Sequence, residues 1–377
     1  MINEFQFALN TKVIFKPNAL KDLGTALADA QISKVLLVTD PGVAGAGFVE
    51  PTTQVLDDSG IAYRVFKDVE PNPSVETVDK GAALNDEIKF QAIIALGGGS
   101  PMDAAKAIAV KLTNGGEIPD YEGPDNFTHD PLPIYAIPTT AGTGSEVTPF
   151  AVITDKARKY KLTIISQRIL PKVAILDPTL IANLPPSVAA STGLDSLTHA
   201  VEAYTSLFSS PYSDAFAEKA ISLIGKNIRL FVANRKNERA AGKMLVASLF
   251  AGLAFSHARL GNAHAMAHPL GGFFNIPHGI ANAVLLPHIM EYNRMACPEK
   301  FQKIAVLLEK DASAVCAVEA VKQLNRDLGI PENLSVLGVN KDTIPEMAAD
   351  AMKSGNVLAN PRQTDISEIE FLYRQAM

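Results

Sequence analysis

Along the first half of the chain, short continuous apolar runs alternate with stretches whose apolar residues recur three or four positions apart. The runs 34–39 (KVLLVT), 62–67 (AYRVFK), 91–96 (QAIIAL) and 132–137 (LPIYAI) predict strands, and 44–58, 75–85 and 101–112 predict helices between them. Strands that are apolar nearly throughout, rather than on alternate residues, predict a parallel sheet covered on both faces. Three further extended runs, 151–154, 162–165 and 173–176, have no good helices between them and predict a hairpin-like extension of that sheet. The rhythm changes at Leu184-Pro185-Pro186. Beyond it apolar residues keep helical spacing, as in Val201, Tyr204 and Leu207 and then Ala215, Ala220, Leu223 and Ile224. The chain therefore divides into an α/β domain with a parallel sheet, residues 1–185, and an all-helical domain, residues 186–377.

Composition narrows the function. With 377 residues, 47% of them hydrophobic, there is enough apolar material for two separate cores. A net charge of -6 supplies no basic footprint for nucleic acid, and no Lys/Arg block adjoins an amphipathic stretch that could lie on a membrane. No uninterrupted apolar run approaches the roughly 18 residues that span a bilayer. Met1-Ile2-Asn3-Glu4 does not begin a cationic segment leading into an apolar one, so a cytoplasmic protein is expected. Two cysteines, Cys297 and Cys316, offer neither a disulfide framework nor a thiolate metal site.

Two loops in the first half have the character of ligand sites. Gly97-Gly98-Gly99-Ser100-Pro101-Met102-Asp103 follows a strand directly. Its glycines allow a tight turn and close backbone approach, while Ser100 as N-cap, Pro101 as first helical residue and Asp103 in a capping box predict a helix N-terminus suited to a phosphate. It is neither a Walker A loop nor G-x-G-x-x-G. After the next strand, Pro138-Thr139-Thr140-Ala141-Gly142-Thr143-Gly144-Ser145-Glu146 offers hydroxyls and glycines at a strand end, where open α/β sheets bind ligands. Asp40 ends its own strand; there a carboxylate can accept from a ribose diol and repel a 2′-phosphate, or else simply form a turn before Pro41-Gly42.

The helical half carries the metal chemistry. Asp195 and His199, four apart on a helix, share a face, and His264, His268 and His278 follow within fifteen residues of one another. One carboxylate and three imidazoles suit Fe(II) or Zn(II) rather than the oxygen-seeking Mg(II) or Ca(II). Ala265 after His264 excludes an H-E-x-x-H protease helix. Spacing alone leaves open which of His264, His268 and His278 stands outside the ligand set.

The segments GGGSPMDAAKAIAV, PTTAGTGSEVTPFAVI, GLDSLTHAVEAYTS and HAMAHPLGGFFNIPHGIANAVLLPH, in this order, make the chain resemble the iron-dependent (group III) alcohol dehydrogenases, a family that includes lactaldehyde reductase and 1,3-propanediol dehydrogenase. The resemblance implies an N-terminal dinucleotide-binding domain and a C-terminal helical domain, the dehydroquinate synthase-like architecture. It implies an NAD-linked oxidoreductase acting on a small primary alcohol or its aldehyde, usually dimeric. By resemblance the metal ligands are Asp195, His199, His264 and His278, with Fe(II) foremost and Zn(II) as the alternative, and His268 relays the substrate proton. Also by resemblance, Asp40 and Asn72 meet the adenosine ribose, Gly98, Gly99 and Ser100 cradle the pyrophosphate, and Asp103, Thr139, Thr140, Thr148 and Lys161 line the rest of the cofactor groove. A cation on the alcohol oxygen lowers its pKa and so lets hydride leave.

One departure stands out: His257 and Arg259 lie just before the metal histidines, where relatives are more apolar. Facing a substrate pocket they would favour an anionic aldehyde; on the solvent side of a helix they would not. Two other classes compete. A metal- and NAD-assisted lyase of the dehydroquinate synthase type would need a dense basic set for a phosphorylated acid, which is missing here. A metal-stabilised scaffold would not need both phosphate loops.

Overall fold

The computed structural model describes residues 5–6, 8–86, 88–158, 160–308 and 316–377; the opening Met1-Ile2-Asn3-Glu4 lies outside them. These form two compact units, one of Ala8–Thr140 with Gly144–Asn183, the other of Leu184–Met377 together with Ala141–Thr143.

The first unit is built on a six-stranded, wholly parallel sheet. Its strands are β1 (Lys12–Phe15), β2 (Lys34–Val38), β3 (Ala62–Phe66), β4 (Ala92–Gly97), β6 (Ile134–Pro138) and β9 (Val173–Leu176), in the order β1-β9-β6-β4-β2-β3. Strands β4, β6 and β9 are buried at every residue, which is why they read as continuous apolar runs. Alternate residues feed two cores. Val35, Leu37, Ile94, Leu96 and Ile175 face one, and Leu36, Val38, Ile93, Ala95 and Ile134 face the other with the helix Gly99–Asn114. A second, three-stranded sheet consists of β5 (Gly123–Pro124), β8 (Tyr160–Ile165) and β7 (Phe150–Asp155), with β7 and β8 antiparallel.

Three expectations need correction. The run 173–176 is no part of the hairpin; it is β9, deep in the main sheet, because its four residues are buried on both faces. The helix expected over 44–58 is two helices, Pro41–Gly45 and Val49–Asp58, divided where Gly47 takes φ +79°. Strand β1 was not anticipated.

The second unit is helical, with no strand among its described residues. Its helices Pro211–Ala233, Glu238–Ala258 and His278–Asn293 pack on Pro186–Thr205, which carries Asp195, and Asn262–Phe274, which carries His264, packs on His278–Asn293. Although no uninterrupted run of that size was expected, Glu238–Ala258 is long and apolar enough by composition to cross a membrane, yet 72% of its apolar window is buried within the fold, as in a core helix.

Candidate metal centre and dinucleotide turn

Asp195 and His199 sit one turn apart in a stretch of helix, 193–205, that is buried throughout. His264 comes from the helix Asn262–Phe274 and His278 opens the helix His278–Asn293. That last helix start must come close, and Gly279 permits it: a Cβ there would lie 2.5 Å from the Ser191 carbonyl oxygen. As a result His278 Nε2 and His264 Nε2 stand 3.8 and 3.9 Å from Asp195 Oδ1. The ligating atoms of Asp195, His199 and His264 lie within 4.8 Å of one another, and all three residues are buried. The His268 ring instead stacks on that of His278, with centroids 5.5 Å apart.

The electrostatics suit a cation. Burial alone would raise the Asp195 carboxyl, but the imidazoles of His199, His278 and His264 and the amide of Asn282 bring it below its ordinary value. Burial holds the His264 imidazole well below its ordinary pKa, so it is neutral. The ring of His199 lies between those of Phe255 and His264, each centroid 4.5 Å away, and its buried Nδ1 has no hydrogen-bond partner. A buried, unsatisfied nitrogen costs on the order of 1–3 kcal/mol. A cation bound among these donors would satisfy it.

In the α/β unit, Gly97 ends β4 with φ +150°, and a Cβ would lie 2.6 Å from Pro101 Cγ. The turn tightens so far that the following helix starts at Gly99, not Pro101. Its N-cap is Gly98, and no side chain caps it. The expectation for Ser100 and Asp103 is corrected accordingly. Ser100 is inside the helix, its Oγ accepting from the Asn72 N–H at 3.3 Å. Asp103 turns inward, accepting from the Val152 N–H and the Ser145 hydroxyl, both at 3.2 Å, and burial pushes its carboxyl up to about 6. The uncapped amides of this helix end remain available to an anion. A Cβ at Gly98 would lie 3.2 Å from Thr140 Oγ1, so glycine and threonine bound the space above the strand end. Thr139 donates its backbone N–H to the Gly97 carbonyl at 3.0 Å.

Asp40 forms the turn before Pro41-Gly42 that its position allowed. Its Oδ1 caps the helix Pro41–Gly45 through Val43 N–H at 2.9 Å, and its Oδ2 lies beside Gly97. Asn72, in the left-handed region at φ +56°, is held by the hairpin: Thr154 Oγ1 donates to its carbonyl at 3.1 Å and Lys161 Nζ to its side-chain oxygen at 2.8 Å. Burial lowers the Lys161 ammonium pKa. His257 packs edge-on against Tyr212, and Arg259 lies exposed over the Phe208 ring.

Sequence reasoning missed three residues. Glu202, 4% exposed, reaches His264 Nδ1 at 2.6 Å. Asn282 Nδ2 lies 2.8 Å from Asp195 Oδ1 and 3.1 Å from both His264 Nε2 and His278 Nε2. Lys106, wholly buried, donates to the Ser145, Thr148 and Phe150 carbonyls at 2.8 to 2.9 Å and also to the Thr148 hydroxyl, so Thr148 is engaged from within the fold. A charged residue inside an apolar helical stretch, as in AAKAIA or HAVEAY, was the available signal.

Residues 10–178 match the family described as "Iron-containing alcohol dehydrogenase", and residues 189–377 match "Fe-containing alcohol dehydrogenase family, C-terminal". The chain is 42% identical to 1,3-propanediol dehydrogenase of Klebsiella pneumoniae over 381 residues, covering 99% of this chain and 98% of that one. The crystal structure of a 1,3-propanediol oxidoreductase superposes with a TM-score of 0.97 at 42% identity, with both chains fully covered. That of a sulfoacetaldehyde reductase from Bifidobacterium kashiwanohense, in complex with NAD+, gives 0.91 at 31% identity, with 99% of each chain covered.

Proposed function

Since this chain belongs to the iron-containing alcohol dehydrogenase family, we propose that it is an NAD-linked enzyme that interconverts a small primary alcohol and its aldehyde with the help of a divalent metal. One observation carries the metal half of this reading: the buried ligating atoms of Asp195, His199 and His264 lie within 4.8 Å of one another, with no hydrogen bond made by His199 Nδ1, which faces Asp195 Oδ2 at 3.9 Å. Asp195, His199, His264 and His278 would hold the ion; the donor set suits Fe(II) or Zn(II), and membership of the iron-containing family puts Fe(II) first. When bound, it supplies Lewis acidity that lowers the pKa of an alcohol oxygen and polarises an aldehyde.

The chain's own residues do the rest. Asp195 contributes the single negative charge among the ligands, so a divalent ion keeps net positive charge for the substrate oxygen. His268, stacked on His278 and outside the proposed ligand set, would take up and release the substrate proton. The uncapped amides at Gly99 and Ser100, with Gly98 leaving room beside Thr140, would receive the pyrophosphate of NAD. Asp40 and Asn72, the latter steadied by Lys161, would meet the adenosine ribose. Asp103, Thr139 and Thr148 shape the same groove, Asp103 and Thr148 by bracing the 145–152 segment. The binding of NAD+ by the sulfoacetaldehyde reductase supports this half. On this reading the α/β unit serves the dinucleotide and the helical unit the metal and substrate, in a cytoplasmic homodimer or dimer-based oligomer.

The test is direct. Purified protein with NAD, Fe(II) or Zn(II) and a panel of short alcohols should generate NADH, and a chelator should stop it. His199→Ala and His264→Ala should abolish turnover. Undiminished turnover in metal-free protein would overturn the proposal.

A further inference from the structure

We propose that Glu202 is a positioning residue for metal binding, its carboxylate holding the His264 ring in the Nδ1–H tautomer so that Nε2 keeps the lone pair that faces Asp195. The inference rests on the metal-site reading above. Glu202 follows His199 by three residues on the same helix, and its side chain is buried. Oε1 accepts from the Ala263 N–H at 2.6 Å, and Oε2 lies 2.6 Å from His264 Nδ1. Gly261 leaves space for this, since a Cβ there would come within 3.0 Å of Oε1. With Oε1 already accepting from the Ala263 N–H, the carboxyl turns its other oxygen to this edge of the ring, where Nδ1 is the nitrogen positioned to donate to it.

An independent contact agrees. Asn282 turns its amide nitrogen toward Asp195 Oδ1 at 2.8 Å, an acceptor, which fixes the amide's orientation. The same nitrogen, its two hydrogens shared among Asp195 Oδ1 and the Nε2 atoms of His264 and His278, lies 3.1 Å from His264 Nε2, so that Nε2 faces a donor group and not an acceptor. Two neighbours on opposite sides of one ring thus require the same tautomer, the one a metal needs. Glu202 also ties this ring to the start of its own helix, so that backbone and imidazole are set by one carboxylate.

The Glu202→Gln variant separates this role from simple packing. Its amide oxygen can still accept from the Ala263 N–H, but its NH2 then meets Nδ1 and drives the ring proton to Nε2, where it blocks the metal. Competition against a chromophoric chelator should show Fe(II) or Zn(II) affinity falling roughly 10- to 100-fold. Nitrogen NMR of metal-free protein should show His264 protonated at Nδ1 in the wild type and at Nε2 in the variant. Unchanged affinity in folded Glu202→Gln overturns the proposal, and so does an Nε2-protonated His264 in the wild type, a measurement that needs no variant to fold. If wild-type protein binds neither metal, the metal-site reading falls and takes this inference with it. Tight wild-type binding with an indifferent variant removes the positioning role alone.

Discussion

Asn282 donates its side-chain amide to Asp195 Oδ1 across 2.8 Å, and both residues are buried. A buried carboxylate without a donor is costly, and a bound cation would relieve that cost. Asn282→Leu should therefore weaken metal-free protein most, by about 2 kcal/mol, the usual worth of a hydrogen bond to a charged group. The loss is tempered because Asn282 Oδ1 is itself buried without a partner, and leucine removes that orphan. Urea denaturation with and without Zn(II) should show a larger metal-induced stabilisation in the variant than in the wild type. An equal loss in both states would mean that Asn282 is packing only.

Asp40 couples a helix cap to a carboxylate oxygen beside Gly97. Asp40→Ser keeps a competent cap and removes the charge that would oppose a 2′-phosphate. Activity with NADP relative to NAD should rise about ten-fold or more while the melting temperature stays within a few degrees. A cofactor preference that does not move would take Asp40 out of the ribose site.

Glu146, 2% exposed, has its carboxyl pushed up to about 7 by burial, against the opposing pull of its own backbone N–H and of Lys106. A carboxyl whose folded pKa exceeds its unfolded value near 4.5 binds its proton more tightly in the native state. Its stabilising contribution is then complete below pH 4.5 and is lost as pH climbs through 7. The limiting slope is about 1.4 kcal/mol per pH unit. Glu146→Gln, neutral throughout, should match the wild type near the acid end of that window and surpass it above neutrality. Chemical denaturation across the range checks this; parallel curves would show that Glu146 is ionised in the fold.

How legible all this was depended on where each residue's surroundings come from. Strands β4, β6 and β9 announced themselves because burial on both faces demands apolar side chains at every position. Strand β1 did not, since an edge strand of four residues with both ends exposed carries neither a continuous nor an alternating pattern. Residue type and spacing picked out Asp195, His199 and the trio His264, His268 and His278, while only the family resemblance set His268 apart; the approach of His278 to Asp195 depends on Gly279 letting one helix start come close to Ser191. Glu202 and Lys106 left only a weak signal, and Asn282 none, for a related reason. A Glu or Lys in a helix ordinarily faces water, and only the packing of other helices and loops around it decides otherwise. The start of the helix after β4 was misjudged by two residues because Gly97 bends more sharply than a serine cap would need.

Arg259 closes the helix Glu238–Ala258 with φ +63° and ψ -174°, a conformation that belongs almost wholly to glycine. Strain of this kind costs about 1–3 kcal/mol. In return the guanidinium lies over the Phe208 ring, 4.6 Å from its centroid, and an exposed cation–π contact is worth about 0.5–1 kcal/mol. Glycine's greater freedom in the unfolded chain subtracts roughly another 0.5–1 kcal/mol from any gain. Strain relief slightly exceeds the two losses at mid-range, so Arg259→Gly should leave stability unchanged or raise it by up to about 1 kcal/mol. Arg259→Ala should lower it, because alanine keeps the strained backbone and loses the ring contact. The two variants thus move apart although both delete the same charge, and denaturation midpoints resolve them. The same pair tests the substrate question raised by the sequence. With the guanidinium committed to Phe208, neither variant should alter the ranking of neutral and anionic aldehydes in a competition assay. A selective loss of the anionic substrates in both would instead return Arg259 to the pocket.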